Sequence, residues 1–477
     1  MSERAPAGFL DGVFDRTLAN LRGAWREIAL SARGVLSGAL RPDLPEDDVA
    51  RLRQQMLACL DGGSEVTARA RAAELGRSYL ALNTTGRERF LRLLAEEFGA
   101  DHAAVEACCA ALAAAPDPVA RSAAERALRA ALTPPRITLL RQFNALPEGV
   151  KFLVDLRGEM IARNGADPAL RGLADDLRAL LADWFDIGFL QLQRITWDSP
   201  AALLEKLMAY EAVHEIQSWT DLKNRLEADR RCFAFFHPRM PEEPLIFVEV
   251  ALVAGIAGNI HALLDEAAPV GNPQAADTAI FYSISNCQQG LVGISLGDFL
   301  IKRVVDALAI ELPRLKAFAT LSPLSGFRAW LAAEAERGRL LPVGEMRAVQ
   351  ALATEGGEGD ADKVLLNLID RPDWHEDARN AAALREPLLR LGARYLVHAR
   401  APSGRALDPV AHFHLSNGAR VERLNWLGDV SAKGLAQSAG LMVNYLYRLG
   451  DIEENHEAYR SEGRVAVSSA VRSMARG

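Results

Sequence analysis

Apolar residues recur every three or four positions through the first part of the chain, from about residue 10 to residue 195. Alanine, leucine and arginine dominate these stretches, as in "DDVARLRQQMLACLDG" and "LADDLRALLADWF", and glycine or proline separates them. This spacing predicts one amphipathic helix after another. Because no repeat of fixed period is evident, residues 1–195 are predicted to form an all-helical bundle, whose apolar faces could also pack against a second subunit.

After residue 196 the pattern changes to short apolar runs of the kind that form strands. The predicted strands cover residues 232–236, 245–253, 279–285, 317–321, 394–399, 410–416 and 419–426. The dipeptide Asn417-Gly418 lies between the last two and predicts a type I′ hairpin. A mostly helical insertion interrupts the strands at about 327–392. Residues 196–477 are therefore predicted to form a mixed α/β domain, and the fold class predicted for the whole chain is α+β.

Composition narrows the classes of partner. Of the 477 residues, 49% are hydrophobic and 25% are charged, and the net charge is −7. This balance is typical of a soluble protein and argues against nucleic-acid binding through a basic surface. The most apolar run, "LIFVEVALVAGIAGNI", is interrupted by Glu249, so no membrane partner is expected. The cysteines form no CxxC pair, which favours reduced thiols in the cytoplasm.

The segment "QQGLVGISLGDFLIKRV" allows two kinds of chemistry. It contains G-x-S-x-G, the nucleophile elbow of a serine hydrolase, with Ser295 as the nucleophile and with Asp408 and His414 following in hydrolase order. An elbow needs a strand that runs directly into the motif, however, and here the polar segment "NCQQGLV" intervenes. The preferred hypothesis is a glycine-rich loop that binds a phosphate at the start of a helix, with a plain tight turn as the alternative.

Two histidines and a serine near predicted strands are further candidates. His412 and His414 would share one face of the strand that enters the hairpin. No third ligand nearby supports a metal site, so either histidine could be structural. Ser322 follows the strand at 317–321, which is the usual place for a functional residue in an α/β sheet. Capping of the next helix explains that serine equally well, and the aromatic pair in "MVNYLYRL" is more typical of packing.

Longer strings of residues are more specific than these short motifs. The strings "YEAVH" (210–214), "RRCFAFFHPRMPEEPLIFVEVAL", "FYSISNCQQGLVGISLGDFLIKRVV", "LSPLSGFRAWL" and "PVAHFHLSNGARVERLNWLGDVSAKGLAQSAGLMVNYLYRL" follow one another between residues 205 and 450. Over this part the chain closely resembles the malonyl-CoA decarboxylase family. Over the first 190 residues only the helical texture is similar, because family members carry a helical N-terminal domain there.

The resemblance implies that residues 196–477 form a domain of the GCN5-related acetyltransferase (GNAT) type, which binds coenzyme A. In that fold the loop between a central strand and the next helix takes the CoA pyrophosphate on backbone amides. The implied CoA-binding residues are Gln288, Gln289, Gly290, Leu291, Val292, Gly293, Ser295 and Gly297. The implied catalytic residues are Ser322, His414 and Tyr447. Ser295 stands where family members have a glutamate, so the role of that carboxylate is in question in this chain.

The activity implied by the resemblance is decarboxylation of malonyl-CoA to acetyl-CoA and CO₂, with no metal and no cofactor besides the CoA of the substrate. Ser322 would donate a hydrogen bond to the substrate carboxylate or thioester oxygen and His414 would protonate the new carbanion, or the two roles are exchanged. The alternatives are a GNAT-type acyl-CoA transferase and a non-catalytic CoA-binding protein. The resemblance also implies a homo-oligomer, a tetramer or a dimer. The C-terminal "SMARG" lacks the peroxisomal S-K-L ending, which favours the cytoplasm.

Overall fold

A computed structural model of the chain describes Trp25, Ile28 and residues 40–61, 64–163, 167–294, 300–338, 340–352 and 360–476. Its N-terminal part is helical. The helices there are α1 (Glu46–Leu60), α2 (Glu65–Ala81), α3 (Thr84–Glu97), α4 (His102–Ala113), α5 (Pro118–Ala131), α6 (Pro135–Phe143), α7 (Gly149–Ala162) and α8 (Pro168–Trp184), followed by a 3-10 helix at Ile187–Phe189. The prediction of a helical N-terminal region is therefore confirmed.

Short polar side chains start several of these helices, because the first backbone N–H groups of a helix have no partner inside it. Backbone N–H groups two or three residues further on donate to the side chains of Ser64, Asn83, Asp101, Asp117 and Asp167. The core between the helices is aromatic. The ring of Phe152 stacks on that of Phe143, with centroids 5.0 Å apart, and meets Trp25 and Tyr79 edge-on.

The C-terminal part is built on a mixed sheet, which has eight strands within the described residues. The strands are β1 (Gln191–Ile195), β2 (Arg230–His237), β3 (Met240–Val253), β4 (Thr278–Asn286), β5 (Ala317–Thr320), β6 (Ser322–Pro323), β7 (Arg420–Asn425) and β8 (Met442–Tyr447). Their order is β1-β2-β3-β4-β5-β8-β6, and β7 also pairs with β8. The pair β4 and β5 runs parallel, while the other described pairs are antiparallel.

Helices pack around this sheet and occupy the predicted insertion. They are α9 (Ala201–Tyr210), α10 (Trp219–Asn224), α11 (Ile260–Leu264), α12 (Leu300–Glu311), α13 (Phe327–Ala335), α14 (Val343–Gln350), α15 (Ala361–Ile369), α16 (Ala378–His398), α17 (Pro409–Ser416), α18 (Ala432–Ser438), α19 (Ile452–Glu462) and α20 (Ser469–Arg476). Short 3-10 helices lie at Pro273–Ala275 and Gln289–Leu291. Throughout the part of the chain that the structure describes, every helix is too short or too polar to cross a membrane.

Two of the predicted strands are helical, and the predicted hairpin is wrong. Residues 394–399 lie mostly in α16, and residues 410–416 lie in α17. A helix start outweighs the alternating apolar pattern there, because the Asp408 carboxylate caps the helix and Pro409 occupies its first turn. Gly418, with a φ of +79°, then ends α17 instead of turning a type I′ hairpin.

Strands β1, β6 and β8 were not predicted, and the insertion is longer than predicted. Strand β1 lies in the region predicted to be wholly helical, and most of its residues are exposed. Strand β8 is buried along its whole length, so its sequence shows no alternation of apolar and polar positions. The helical insertion continues to His398 rather than ending at about residue 392. Segments β1 and β8 form strands because they pair with strands that are distant in the sequence, and a local residue pattern contains no information about such pairing.

Candidate functional site

Strands β4 and β5 are paired only over Thr278–Phe281 and Ala317–Thr320. Their pairing stops there, and a cavity of about 260 Å³ lies between the ends of the two strands. It is lined by Val213, Phe281, Tyr282, Ser283, Ile284, Asn286, Ser322, Pro323, Pro409, Val410, Phe413 and His414. Most of these residues are apolar, and this described lining contains no Lys, Arg, Asp or Glu. We call this space the acyl cavity.

Ser322 and His414 lie in the wall of the acyl cavity, and Tyr447 contacts His414. The Nε2 atom of His414 lies 3.4 Å from Oγ of Ser322, and its Nδ1 atom lies 2.8 Å from the hydroxyl oxygen of Tyr447. Three separate elements build this group, since the histidine lies on α17, the serine on β6 and the tyrosine on β8. All three residues are buried. The three sequence-predicted catalytic residues are therefore neighbours in space.

Hydrogen bonds indicate which nitrogen of His414 carries the proton. The hydroxyl of Ser322 donates to Oγ1 of Thr320 at 2.9 Å, which leaves Ser322 Oγ as an acceptor toward the histidine. Nε2 is therefore the protonated nitrogen, and Nδ1 accepts from the O–H of Tyr447. Burial lowers the pKa of His414 to about 3, because surroundings of low dielectric constant penalise the charged ring. Burial also raises the pKa of the Tyr447 phenol, so both groups are uncharged at neutral pH.

Two further residues hold this group in place. The ring of Tyr445 stacks on that of His414, with centroids 4.6 Å apart and planes inclined by 26°. Asp408 accepts hydrogen bonds from the backbone N–H groups of Ala411 and Gly326 and from the hydroxyl of Tyr395. The carboxylate of Asp408 thus anchors the start of α17, whereas the Nδ1 partner of His414 is Tyr447. This arrangement differs from the Ser-His-Asp triad that the hydrolase hypothesis requires.

A second cavity, of about 350 Å³, adjoins the first and shares Asn286 and Phe413 with it. It is lined by Leu245, Ile246, Asn286, Gln288, Leu291, Val292, Gly293, Ile294, Leu300, His412, Phe413, Ser416 and Asn417. We call it the loop cavity, because residues 288–294 form much of its wall. The two cavities together extend from the loop to Ser322 and His414.

The predicted CoA-binding residues take different places around the loop cavity. Gln288, Leu291, Val292 and Gly293 line it, whereas Gln289 is exposed. Gly290 is buried and packs against the backbone of α7, because a Cβ at this position would lie 1.7 Å from the carbonyl oxygen of Val154. Ser295 and Gly297 lie outside the described residues.

Part of the hydrogen-bonding capacity of this loop is used within the loop itself. The N–H groups of Leu291, Val292 and Ile294 donate to carbonyl oxygens at 288, 289 and 291. The open position is Gly293, which has a φ of +77° and, among the described residues, no atom within 4 Å of the place that a Cβ would take. Fewer backbone amides are therefore left for an anion than the glycine-rich sequence suggested.

Sequence reasoning missed a buried carboxylate behind the acyl cavity. Glu211 accepts hydrogen bonds from the backbone N–H groups of Val213 and His214 and from the hydroxyls of Ser283 and Ser285. It thereby fixes two segments that contribute residues to the cavity wall. The alternating serines of "FYSIS" were the available signal, since buried serines at every second strand position point to one face and need hydrogen-bond partners there.

On a strand, the two histidines would share one face. On helix α17 they do not. His412 lines the loop cavity, and its Nδ1 atom lies 2.9 Å from the hydroxyl of Tyr459, whereas His414 lines the acyl cavity. A helix turns about 100° per residue, so positions two apart point in different directions. Within the residues that the structure describes, no group of three metal-binding side chains is present.

Comparison with protein-family models gives two matches. The model for the malonyl-CoA decarboxylase C-terminal domain matches residues 188–477, and the model for the malonyl-CoA decarboxylase N-terminal domain matches residues 98–185. Among curated proteins, the mitochondrial malonyl-CoA decarboxylase of Anser anser anser is 38% identical over 425 residues, which are 85% of this chain and 83% of that protein. The mitochondrial malonyl-CoA decarboxylase of Mus musculus is 35% identical and covers 93% of this chain and 91% of its own length.

Solved structures agree with these matches. The crystal structure of malonyl-CoA decarboxylase from Rhodopseudomonas palustris is 44% identical, has a TM-score of 0.81, and covers 89% of this chain and 99% of that chain. The corresponding structure from Agrobacterium vitis is 43% identical with a TM-score of 0.78 and the same coverage. Both similarities extend over the helical region as well as the sheet.

Proposed function

The chain belongs to the malonyl-CoA decarboxylase family, and we propose that it converts malonyl-CoA to acetyl-CoA and CO₂. The observation that carries the proposal is the pair Ser322 and His414 in the wall of the acyl cavity, with Tyr447 bonded to His414 and the loop cavity beside them. One cavity is suited to the malonyl group and the other to the CoA portion of a single extended substrate.

Decarboxylation leaves an electron pair on the carbon next to the thioester, and the thioester carbonyl spreads this charge as an enolate. A catalyst must therefore stabilise a developing negative charge on the thioester oxygen and then return a proton to carbon. The walls around the acyl cavity include Phe281, Val410 and Phe413. A carboxylate held against such walls loses its hydration, which favours release of neutral CO₂.

We assign the stabilisation of the enolate oxygen to Ser322. Its hydroxyl proton points to Thr320 in the ligand-free site, and rotation about the Cβ–Oγ bond redirects that proton to a thioester oxygen in the acyl cavity. A single donor aimed at a developing oxyanion typically contributes about 10²–10³ in rate. A Ser322→Ala variant is therefore expected to bind CoA while losing most of its turnover.

We assign the proton transfer to His414 and Tyr447. The Nε2 proton of His414 passes to the carbanion carbon while the phenol of Tyr447 gives its proton to Nδ1. Nδ1 then returns this proton to the phenolate as a proton from solvent in the cavity reaches Nε2, which restores the starting tautomer. This route keeps the imidazole neutral throughout, as its lowered pKa requires. Proton transfer by a positioned side chain typically contributes about 10²–10⁴ in rate.

We further propose that the C-terminal part is a GNAT-type domain that takes the CoA pyrophosphate at residues 288–297. The support is a loop between the central strand β4 and helix α12, with a cavity along it. The oligomer, a tetramer or a dimer, and the cytoplasmic location stay predictions. The curated relatives from goose and mouse are named mitochondrial, so fractionation of the native protein would decide the location.

The test is incubation of the purified protein with malonyl-CoA alone, followed by mass spectrometry of the products. Acetyl-CoA and CO₂ in equal amounts support the proposal. Free CoA with malonate would instead indicate a hydrolase, and free CoA formed only with an added amine would indicate an acyl-CoA transferase. Intact malonyl-CoA together with measurable CoA binding would indicate a non-catalytic CoA-binding protein.

A further inference from the structure

The wall of the loop cavity is fastened to the N-terminal helical region. Gly290 packs on α7 so closely that the carbonyl oxygen of Val154 would lie 1.7 Å from a Cβ on this glycine. On the helix side, Gly158 faces the same residue, and a Cβ there would lie 3.4 Å from the backbone nitrogen of Gly290. Two glycines therefore bring the backbones of α7 and of the 3-10 helix Gln289–Leu291 into direct contact.

Arg157 of α7 reinforces this contact. Its Nη1 atom donates to the carbonyl oxygen of Gly290 at 2.5 Å, and its Nε atom donates to the carbonyl oxygen of Ala174 at 3.4 Å. Only 5% of this residue is exposed to solvent. Both acceptors are neutral, and the described carboxylate that acts on Arg157, that of Asp175, forms its ion pair with Arg178 rather than with Arg157. A buried guanidinium without a carboxylate partner is costly unless an anion comes near it.

The loop cavity has little positive charge of its own. Residues 286–301, "NCQQGLVGISLGDFLI", contain no Lys, Arg or His, and the described lining of the cavity contains neither Lys nor Arg. Three of the loop amides are already used within the loop. CoA carries a diphosphate and a 3′-phosphate, and such an anion requires positive charge or free donors close by.

We propose that Arg157, a residue of the helical region, positions the loop for the phosphates of the substrate and supplies positive charge behind it. The proposal rests on the proposed function, because it takes the ligand to be a CoA thioester. It makes the helical region a part of the substrate site. The contribution of Arg157 is confined to the phosphate-bearing end of the substrate, whereas Ser322 and His414 act on the malonyl end.

The test compares malonyl-CoA with malonyl-pantetheine, which has the same reacting end but no phosphate. In Arg157→Gln the KM for malonyl-CoA is expected to rise about tenfold, which corresponds to about 1.4 kcal/mol. The kcat values for both substrates and the KM for malonyl-pantetheine are expected to change less than about twofold, since malonyl-pantetheine has no phosphate for Arg157 to attract. Arg157→Lys keeps the positive charge but loses the guanidinium that donates to two carbonyl oxygens. Its KM for malonyl-CoA is expected to lie between those of wild type and Arg157→Gln.

Arg53→Gln is the matched control, because Arg53 is a partly exposed arginine on helix α1 of the same helical region and pairs with Glu97. It is expected to behave as wild type with both substrates. An equal rise in KM for both substrates in Arg157→Gln, or no rise for either, would overturn the inference. Equal rises would indicate that the arginine only maintains the fold.

A binding measurement separates this inference from the proposed function. Calorimetry with CoA and with pantetheine requires no turnover, so it applies even if the wild-type protein leaves malonyl-CoA intact. The Kd for CoA divided by the Kd for pantetheine is expected to rise about tenfold in Arg157→Gln relative to wild type. An unchanged ratio would contradict the role of Arg157 whether or not the protein is a decarboxylase.

Discussion

At His414, burial and two neighbouring hydroxyls decide which form of the imidazole the site holds. The ring is buried against Tyr445 and contacts Ser322 on one side and Tyr447 on the other. Burial disfavours the imidazolium, so the proposed role of the ring is that of a neutral proton donor whose Nδ1 accepts a hydrogen bond from the Tyr447 phenol. The sequence alone, which suggests a histidine acting as a simple general acid, contains no information on this point.

Tyr447→Phe tests the phenol as the source of the proton. The variant keeps the ring but removes the hydroxyl that donates to Nδ1 of His414, so kcat is expected to fall about 10–100-fold while KM changes little. Tyr445→Phe is the matched control on the same strand, because the buried hydroxyl of Tyr445 has no hydrogen-bond partner among the described residues. Steady-state kinetics of the two variants side by side are the measurement. Equal losses in both would argue against the relay.

The lowered pKa of His414 also makes a prediction about stability and pH. The unfolded chain binds a proton on this histidine below its ordinary pKa of 6.5, whereas the folded chain does so only near pH 3. Between these values the unfolded state binds more protons, so stability falls as the pH falls. For this one residue the loss from pH 7 to pH 5 is expected to be about 2 kcal/mol.

Urea unfolding of wild type and His414→Gln at pH 7 and pH 5 measures this effect. His214, whose pKa burial lowers to about 4, adds acid sensitivity to both proteins and cancels in the comparison. The variant is therefore expected to lose less stability than wild type over this pH range. An identical loss in the two proteins would mean that His414 titrates normally in the folded state.

At the scale of single elements, helix α17 decides the geometry of the site. It carries His414 on one side and His412 on another, so one helix reaches both cavities. Its start is fixed by Asp408, which accepts hydrogen bonds from Ala411, Gly326 and Tyr395. A shift of this helix would move the imidazole away from Ser322, so the cap matters for activity as well as for stability.

Asp408→Ala is expected to lower the free energy of unfolding by about 2 kcal/mol, because it removes a helix cap and two further hydrogen bonds. It is also expected to lower kcat, since α17 loses its anchor. Asp377→Ala is the control, because Asp377 caps α16 through the N–H groups of Arg379 and Asn380 and is exposed. Thermal unfolding and kinetics of both variants are the measurements. A drop in kcat in the control but not in Asp408→Ala would contradict this account.

Gly418 ends α17 with a backbone that other residues rarely adopt. Its φ is +79°, and a Cβ there would lie 2.1 Å from the carbonyl oxygen of Ile452. Gly404 has a similar φ of +80°, but no atom of the described residues lies within 4 Å of its Cβ position, so a substitution there tests the backbone strain alone. Gly404→Ala is expected to cost about 1–2 kcal/mol and Gly418→Ala clearly more, as measured by chemical unfolding. Equal costs would mean that the contact with Ile452 is unimportant.

How much of each element could be predicted depends on how local its signals are. Helices of the N-terminal region follow from apolar spacing, and strands β3 and β4 follow from buried apolar runs. Helix α17 was mistaken for a strand because "VAHFHLS" alternates apolar and polar residues, although the Asp408-Pro409 cap was already visible in the sequence. The catalytic candidates came from family resemblance, and their mutual contact depends on pairs such as Ser322 and His414 that lie 92 positions apart.

At the scale of the whole molecule, the site depends on two regions of different texture. The sheet supplies Ser322 and Tyr447 and the walls of the acyl cavity, and the helical region supports the loop through α7. The contact between Arg157 and Gly290 joins positions 133 apart, so no local pattern could have predicted it. The division into a helical region and a mixed sheet was predictable, whereas the way one supports the other was not.

The most direct test of the central claim is release of labelled CO₂ from malonyl-CoA that carries ¹³C in its free carboxylate. Wild type is expected to release it in step with acetyl-CoA. His414→Gln is expected to be at least about tenfold slower, because it loses the proton donor. Calorimetry is expected to give CoA affinities for the two proteins within about twofold of each other, since the affinity resides at the other cavity. Equal rates of ¹³CO₂ release from both proteins, or no release from wild type, would contradict the account.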